Sequence, residues 1–239
     1  MQKAKNTEGN NDSVVEKMFK AGAHYGFSKT RRHPSVSKYV FTTKNRVDII
    51  NLEKTSEMLT GVTEFVKDLG SKNKTILFVG TKPEAKEAVK KAALSLDMPY
   101  VTERWIGGTL SNFTEIKKRI TELENYRNES STGGLDKYTK KERVVMAKKM
   151  EKLDKYYSGL VGLKKSPEVL FVVDAKNEHI ATTEARKRGI PVIALVNSDS
   201  NIKNINYPIV ANDAGTSSIK FFVASVIEAY KEGQLSSKK

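Results

Sequence analysis

Residues 76–83 read ILFVGTKP: Ile76-Leu77-Phe78-Val79, then Gly80, Thr81, Lys82 and Pro83. Four consecutive apolar residues without polar alternation describe a strand buried on both faces, and Pro83 falls where the first turn of a helix tolerates a missing N–H. The helix that follows carries Ala88, Val89, Ala92 and Leu96 at helical spacing. The arrangement recurs. Leu170-Phe171-Val172-Val173-Asp174 leads into a helix toward Arg188, Gly189 stops it, and Pro191 to Val196 forms a third apolar run. Strand, helix, strand with fully buried strands requires parallel pairing and right-handed crossovers. The predicted fold class is therefore α/β, an open parallel sheet of Rossmann or flavodoxin type with helices on both faces.

Upstream, Ser13 and Glu16 make a capping box for a short helix from Val14 to about Ala21, ended by Gly22. Residues 38–42 and 46–50 are β-prone and flank Thr43-Lys44-Asn45, which reads as a hairpin turn. Asn51 can cap a helix in which Thr55, Leu59, Val62, Val66 and Leu69 share a face before Gly70.

Between the two α/β halves lies a segment of different character. Phe113, Ile116, Ile120 and Leu123 form one narrow apolar seam, and Met146, Met150, Leu153 and Tyr157 form another. A polar loop, 128–138, separates them, and Thr139 with Glu142 makes a second capping box. The pattern predicts an inserted antiparallel coiled-coil helical hairpin that shares little core with the sheet. The expected organisation is a disordered tail over 1–12, an α/β domain over 13–108 and 160–233 with a basic loop at 17–47, the hairpin over 109–159, and a polar tail over 234–239.

Charge points to a partner class. The chain has 239 residues, with 42 Lys plus Arg against 28 Asp plus Glu, a net +14. Lys17, Lys20, Lys29, Arg31, Arg32, Lys38, Lys44 and Arg46 occupy a stretch from Lys17 to Val47 that contains no Asp or Glu. Phe19, Tyr25, Phe27, Tyr39 and Phe41 are interleaved with them, together with His24 and His33. Cations on phosphates release counterions and gain affinity without reading sequence, and aromatic rings stack on bases, so this composition suits RNA. Candidate RNA-binding residues are Lys29, Arg31, Arg32, His33, Lys38, Lys44 and Arg46, joined by Lys82 at a helix N-terminus and by Arg104. On the hairpin, Lys117, Lys118, Arg119, Lys140 and Lys141 are candidates for partner binding.

Other chemistries find little support. Cysteine is absent, which excludes disulfides and thiolate metal sites and suits a reducing compartment. No apolar run reaches the roughly 20 residues that span a bilayer, and residues 1–11 lack the apolar stretch of a signal peptide, so a cytoplasmic protein is expected. The loop Val79-Gly80-Thr81-Lys82-Pro83 matches neither G-x-G-x-x-G nor G-x-x-x-x-G-K-S/T, which argues against a diphosphate cradle, although a lone phosphate could sit beside Lys82. Gly107-Gly108 with Ser111 lacks the G-x-S-x-G of a hydrolase, and the glycines read instead as an exit from the sheet. Asp174, Glu178 and His179 do not point toward one ion on a regular helix, and His24 and His33 are only weak metal candidates. No cofactor, membrane or small-molecule substrate is expected. The competing reading is a nucleotide- or sugar-phosphate-binding enzyme on the same α/β body. A DNA-binding regulator would need a helix-turn-helix signature that is missing.

Several longer stretches are specific. AGAHYGF at 21–27, NRVDIINLEKT at 45–55, ILFVGTKPEA at 76–85, RWIGGTLSNF at 104–113, DKYTKKE at 136–142 and GIPVIALVNSDSN at 189–201 resemble, in order and over nearly the whole chain, the family of bacterial-type small ribosomal subunit protein two. The resemblance implies a non-enzymatic ribosomal constituent with a Rossmann-like body and an inserted coiled-coil hairpin. It further implies contacts with small-subunit ribosomal RNA and neighbouring ribosomal proteins, among them, in some bacteria, the large mRNA-binding first protein. The family's basic N-terminal loop maps to His24 through Tyr39. Here Phe27 replaces the family's usual His, and Arg32-His33-Pro34-Ser35-Val36 stands where Trp-Asn-Pro-Lys-Met is common. Ser200-Asn201-Ile202 and Val210-Ala211-Asn212-Asp213 also depart from the family pattern.

Overall fold

The structure is a computed structural model and describes residues 14–237. The expected tail over 1–12 and the Ser13 half of the first capping box lie outside the described residues. Helix α1 (14–20) ends as expected before Gly22, whose φ of 73° is one that glycine adopts freely.

A small antiparallel sheet follows, built from β1 (Tyr25–Ser28), β2 (Val40–Lys44) and β3 (Val47–Ile50) in the order β1-β3-β2. Two expectations are corrected here. The stretch after α1 is not a plain loop, because β1 pairs with β3. The hairpin turn is Asn45-Arg46 and not Thr43-Lys44-Asn45. Both turn residues have positive φ, 50° and 64°, the backbone that matches a two-residue turn to strand twist.

Helix α2 (Leu52–Ser71) starts at Asn51, whose side-chain oxygen accepts from the N–H groups of Glu53 and Lys54. The main sheet comprises β4 (Ile76–Val79), β5 (Tyr100–Val101), β6 (Val169–Val173), β7 (Val192–Val196) and β8 (Tyr207–Val210), all parallel, in the order β5-β4-β6-β7-β8. Helix α3 (Pro83–Ser95) follows β4 with Pro83 in its first turn. The order, second-first-third-fourth-fifth along the chain, is that of flavodoxin-like sheets.

Alternation along the strands divides the core between two faces. Ile76, Phe78, Phe171, Val173, Ile193, Leu195 and Ile209 face α2, α3 and α7 (Thr216–Ser236), while Leu77, Val79, Leu170, Val172, Ala194, Val196 and Val210 face the opposite side. At the crossing of α2 with α7, a Cβ on Gly70 would meet the Tyr230 carbonyl at 2.2 Å and one on Gly233 the Lys67 carbonyl at 2.1 Å. Two glycines thus set how closely these helices approach. Helix α7 runs through Ser236, so residues 234–236 are helix, where the sequence suggested a polar tail.

On the second face lie α4 (Phe113–Ser131), α5 (Lys140–Tyr157) and α6 (His179–Lys187). The Thr139–Glu142 capping box forms at the start of α5. Ion pairs Arg127–Asp154 and Lys149–Glu122 join α4 to α5. The apolar seam is not separate from the body. Ile116, Ile120, Leu123, Met150 and Tyr157 belong to one buried cluster with Trp105, Leu160, Leu163 and the strand residues Leu77 and Val172. This corrects the expectation of a pair with little shared core: buried apolar surface is continuous from the sheet into the base of both helices.

Candidate functional site

In sheets of this order, ligands usually enter at the carboxyl ends of the first and third strands, where the winding reverses. Here that point lies between β4 and β6, and the chain's own side chains fill it. Lys82 Nζ is 2.6 Å from Asp174 and 3.4 Å from Asp213, and Asn197 Nδ2 donates to Asp213 Oδ1 at 3.1 Å. Thr81 donates to Glu178, itself buried, and Asn177 donates to Thr81 Oγ1 at 3.0 Å. Burial, then the neighbouring Asp174, pushes the Asp213 carboxyl up to about 6 against the opposing pull of Lys82. Burial works against the charge on Lys82, yet Asp213 and Asp174 hold the ammonium above its ordinary range. A phosphate entering here would meet two carboxylates already sharing the one cation, a repulsive site for any nucleotide. Lys82, a candidate for phosphate contact, has its charge balanced within the fold by Asp174 and Asp213.

The three-stranded sheet and the 3-10 turns at 29–31 and 34–39 that join β1 to β2 carry the basic block, and Arg32, one of its cations, is paired inside the fold. Arg32 donates through Nε to Asp48 Oδ2 at 2.6 Å and through a terminal nitrogen to Thr43 Oγ1 at 2.7 Å, and it also pairs with Asp48 Oδ1. Asp48 is fully buried, and hydrogen bonding from Arg32 holds its carboxyl below the usual range. The acid-free stretch ends one residue before this acid, and Arg32, a candidate for RNA contact, braces the sheet through it. Among the described residues, Lys20 of the block pairs with Glu16 on α1, while Lys29, Arg31, Lys38, Lys44 and Arg46 are exposed and outside any salt bridge. Arg31 sits 6.0 Å from the Phe27 ring centroid and Lys38 Nζ 4.9 Å from that of Tyr39, so rings and cations are interleaved in space as in sequence. Phe41 and Tyr25 are exposed beside them. Arg104 is exposed beyond β5, at a separate place on the chain.

What seats this sheet on the body is Ser198, at the end of β7. The Phe27 N–H donates to its Oγ at 2.8 Å and the His33 N–H to its carbonyl at 2.9 Å, while Ile202 N–H donates to Ser35 Oγ at 3.2 Å. A Cβ on Gly26 would lie 2.9 Å from the Asp48 carbonyl and 3.1 Å from Ser198 Oγ. Glycine is needed there for contact. Because Asn197 in turn holds Asp213, the basic sheet and the filled strand-end crevice form one hydrogen-bonded unit.

The glycines of the 104–113 stretch have a role that sequence reasoning missed. Trp105, Gly108, Leu110 and Ser111 surround the Glu184 carboxylate of α6. The N–H of Gly108 donates to Glu184 Oε1 at 2.7 Å, those of Leu110 and Ser111 to Oε2 at 3.0 and 3.2 Å, Ser111 Oγ at 3.2 Å and Trp105 Nε1 at 3.4 Å. Burial alone would raise this carboxyl, but the donors, led by Gly108, hold it below its ordinary range. One turn on, Arg188 Nε donates to the Leu110 carbonyl at 3.2 Å. Helix α6 therefore fixes both donors and acceptors of the loop that leads into α4. A lone Glu among Ala181 and Ala185 on the buried face of an amphipathic helix was the available signal.

Neither histidine weighed for a metal stands in a ligand set. His24 is stacked on Phe19 at 4.4 Å and tilted against Tyr25 at 4.1 Å, while His33 Nδ1 is 2.8 Å from Ser35 Oγ. Among the described residues no group of three or more His, Asp or Glu is placed to hold a metal. On α4 and α5, Lys117, Lys118, Arg119, Lys140 and Lys141 are all exposed, and Lys118 also pairs with Glu115 and Arg119 with Glu122.

The class this defines is an α/β protein whose strand-end crevice is closed by its own ion pairs and whose cationic, aromatic surface lies on an appended sheet locked to the strand ends. The profile of the family described as ribosomal protein S2 matches residues 18–233, and the chain belongs to that family. It is 39% identical over 221 residues to the small ribosomal subunit protein uS2 of Wolinella succinogenes, covering 92% of this chain and 82% of the relative. To the protein of the same name from Helicobacter hepaticus it is 39% identical over 225 residues, 94% and 85% of the two chains, and to that of Psychromonas ingrahamii 40% over 217 residues, 91% and 89%.

Proposed function

We propose that this protein is a non-enzymatic structural constituent of the small ribosomal subunit that binds small-subunit ribosomal RNA through its three-stranded sheet and neighbouring ribosomal proteins through the α4–α5 pair. The observation that carries the reading is the exposed set Lys29, Arg31, Lys38, Lys44 and Arg46, interleaved with Phe27, Tyr39 and Phe41 on a sheet rigidly seated through Ser198. Rigid seating matters because a positioned cation loses less freedom on meeting phosphate. The names of the relatives support the subunit assignment.

In this reading residues 13–108 and 160–233 form the α/β domain, with the basic RNA-binding segment at 17–47, and residues 109–159 are an inserted coiled-coil hairpin. Lys117, Lys118, Arg119, Lys140 and Lys141 are offered to protein partners, the large mRNA-binding first protein among them, and Arg104 adds an RNA contact beside the hairpin. The competing enzyme reading places an anionic ligand against Asp174 and Asp213, which the charge arrangement disfavours.

The test is co-sedimentation with small subunits across a salt series, comparing the parent with a Lys29→Ala, Arg31→Ala, Lys44→Ala triple variant. The log-log salt slope of binding should become shallower by about one for each phosphate contact removed, up to about three. Unchanged binding and slope with an intact fold would defeat the assignment of RNA contact to this sheet.

A further inference from the structure

Beside the basic sheet lies a cleft that the reading above does not use. Its volume is about 360 Å³, and it opens between the β6–α6 connection, α6 and the segment between β7 and β8. Helix α6 presents His179, Thr182, Thr183 and Arg186 to it, the i, i+3, i+4, i+7 set of a single face, while Ala181, Glu184 and Ala185 on the other face are buried. Lys176 and Asp199 line the cleft and pair at 2.7 Å, so the one carboxylate in its wall is neutralised and Arg186 is left as net positive charge. Asn201 and Asn204 add side-chain amides, and Ile205 and Ala175 add apolar surface. His33, from the basic block itself, completes the wall.

We propose that this cleft receives a single unstacked nucleotide of the RNA that the neighbouring sheet binds. The inference rests on the RNA-binding reading and gives it a specific seat. Three features carry it. The size is at the small end of ligand clefts, about 300–1,000 Å³, which accommodates one splayed-out nucleotide and excludes a duplex. The wall supplies flat imidazoles for stacking, two amides able to both donate and accept at a base edge, and a guanidinium for phosphate, the combination by which single-stranded RNA is read. His33 follows the exposed Arg31 by two residues and is fixed by its backbone bond to Ser198, so the chain that carries one of the exposed cations runs directly into the wall of the cleft.

The experiment uses the full chain and small-subunit ribosomal RNA transcribed with 4-thiouridine, irradiated and mapped by mass spectrometry, with free UMP as competitor. Crosslinks are expected on residues 176–186 or at His33. Arg186→Gln should weaken binding about tenfold and make the salt slope shallower by about one. Thr183→Val, which keeps the side chain's shape, should weaken binding severalfold with an unchanged slope. Melting curves confirm that both variants fold. If RNA binds but crosslinks fall elsewhere and both variants match the parent, the cleft is not the seat, while the proposed function stands. Saturable UMP binding that Arg186→Gln abolishes while RNA binding by the same variant matches the parent would overturn the RNA source in favour of a free nucleotide. Failure of the parent to bind the RNA at all would overturn the proposed function and this inference with it.

Discussion

Replacing Glu184 by Gln keeps the size of the side chain and removes its charge, at a carboxylate that serves five donors from one loop. Oε1 receives Gly108 N–H and Trp105 Nε1–H, and Oε2 receives the N–H groups of Leu110 and Ser111 and the Ser111 hydroxyl. An amide retains one of these oxygens. Whichever way it turns, at least two N–H donors face an NH₂ group, and the serine hydroxyl alone can rotate to suit. Hydrogen bonds to a charged group contribute about 1.5–3 kcal/mol each, and release of the carboxylate's burial cost offsets part of the loss, so the net destabilisation should be about 3 kcal/mol. For a chain of this size that corresponds to a melting temperature lower by about 6–12 °C. The single tryptophan of the chain is Trp105, so its emission reports on the same loop and should shift red as the indole loses its partner. The sign with pH follows. A carboxyl held below its unfolded value contributes stability that is present above about pH 4.3 and is lost as pH falls through the folded value, so the gap between parent and variant should close in acid. A variant melting within about 2 °C of the parent at neutral pH, with unchanged Trp105 emission, would refute the view that this carboxylate organises the loop.

Three further outcomes are expected. Arg32→Ala leaves Asp48 buried without its cation and should cost about 2–4 kcal/mol in denaturant unfolding, whereas Arg31→Ala should leave stability within about 0.5 kcal/mol. Asp213, raised to about 6 in the fold, gives a contribution to stability that is full below its unfolded value near 3.9 and declines as pH rises through about 6. The melting temperature of Asp213→Asn relative to the parent should therefore rise between about pH 4 and pH 7, and a flat difference would contradict the burial argument. Melting curves with NAD, ATP or GTP should show no saturating shift, since a ligand at a hundredfold excess over its dissociation constant would add about 2.7 kcal/mol. Such a shift would revive the nucleotide-binding alternative.

The parallel α/β class was legible along the chain, because unbroken apolar runs such as Ile76–Val79 and Leu170–Val173 have few homes other than a sheet covered on both faces. The sequence located Asn51, Pro83 and the Thr139–Glu142 box as helix starts, since capping is local chemistry visible within four residues. It also marked the acid-free block and carried the family motifs. What it left undecided depends on pairings between residues far apart in the chain. Arg32 looked free because Asp48 is sixteen positions away, and only the hairpin's register closes that distance. Lys82 looked like a phosphate ligand because Asp174 and Asp213 arrive from β6 and β8, strands that the crossovers place near it. Beyond its place among Ala181 and Ala185, Glu184 carried no sequence signal of its role, because its five donors come from the 105–111 loop more than seventy positions away. Short strands such as β1 and β5 carry too few residues for a periodic signal, and their pairing comes from neighbours already in place. Local rules fix elements and caps, but a charge is assigned to function or to structure only when the fold shows which distant group stands opposite it.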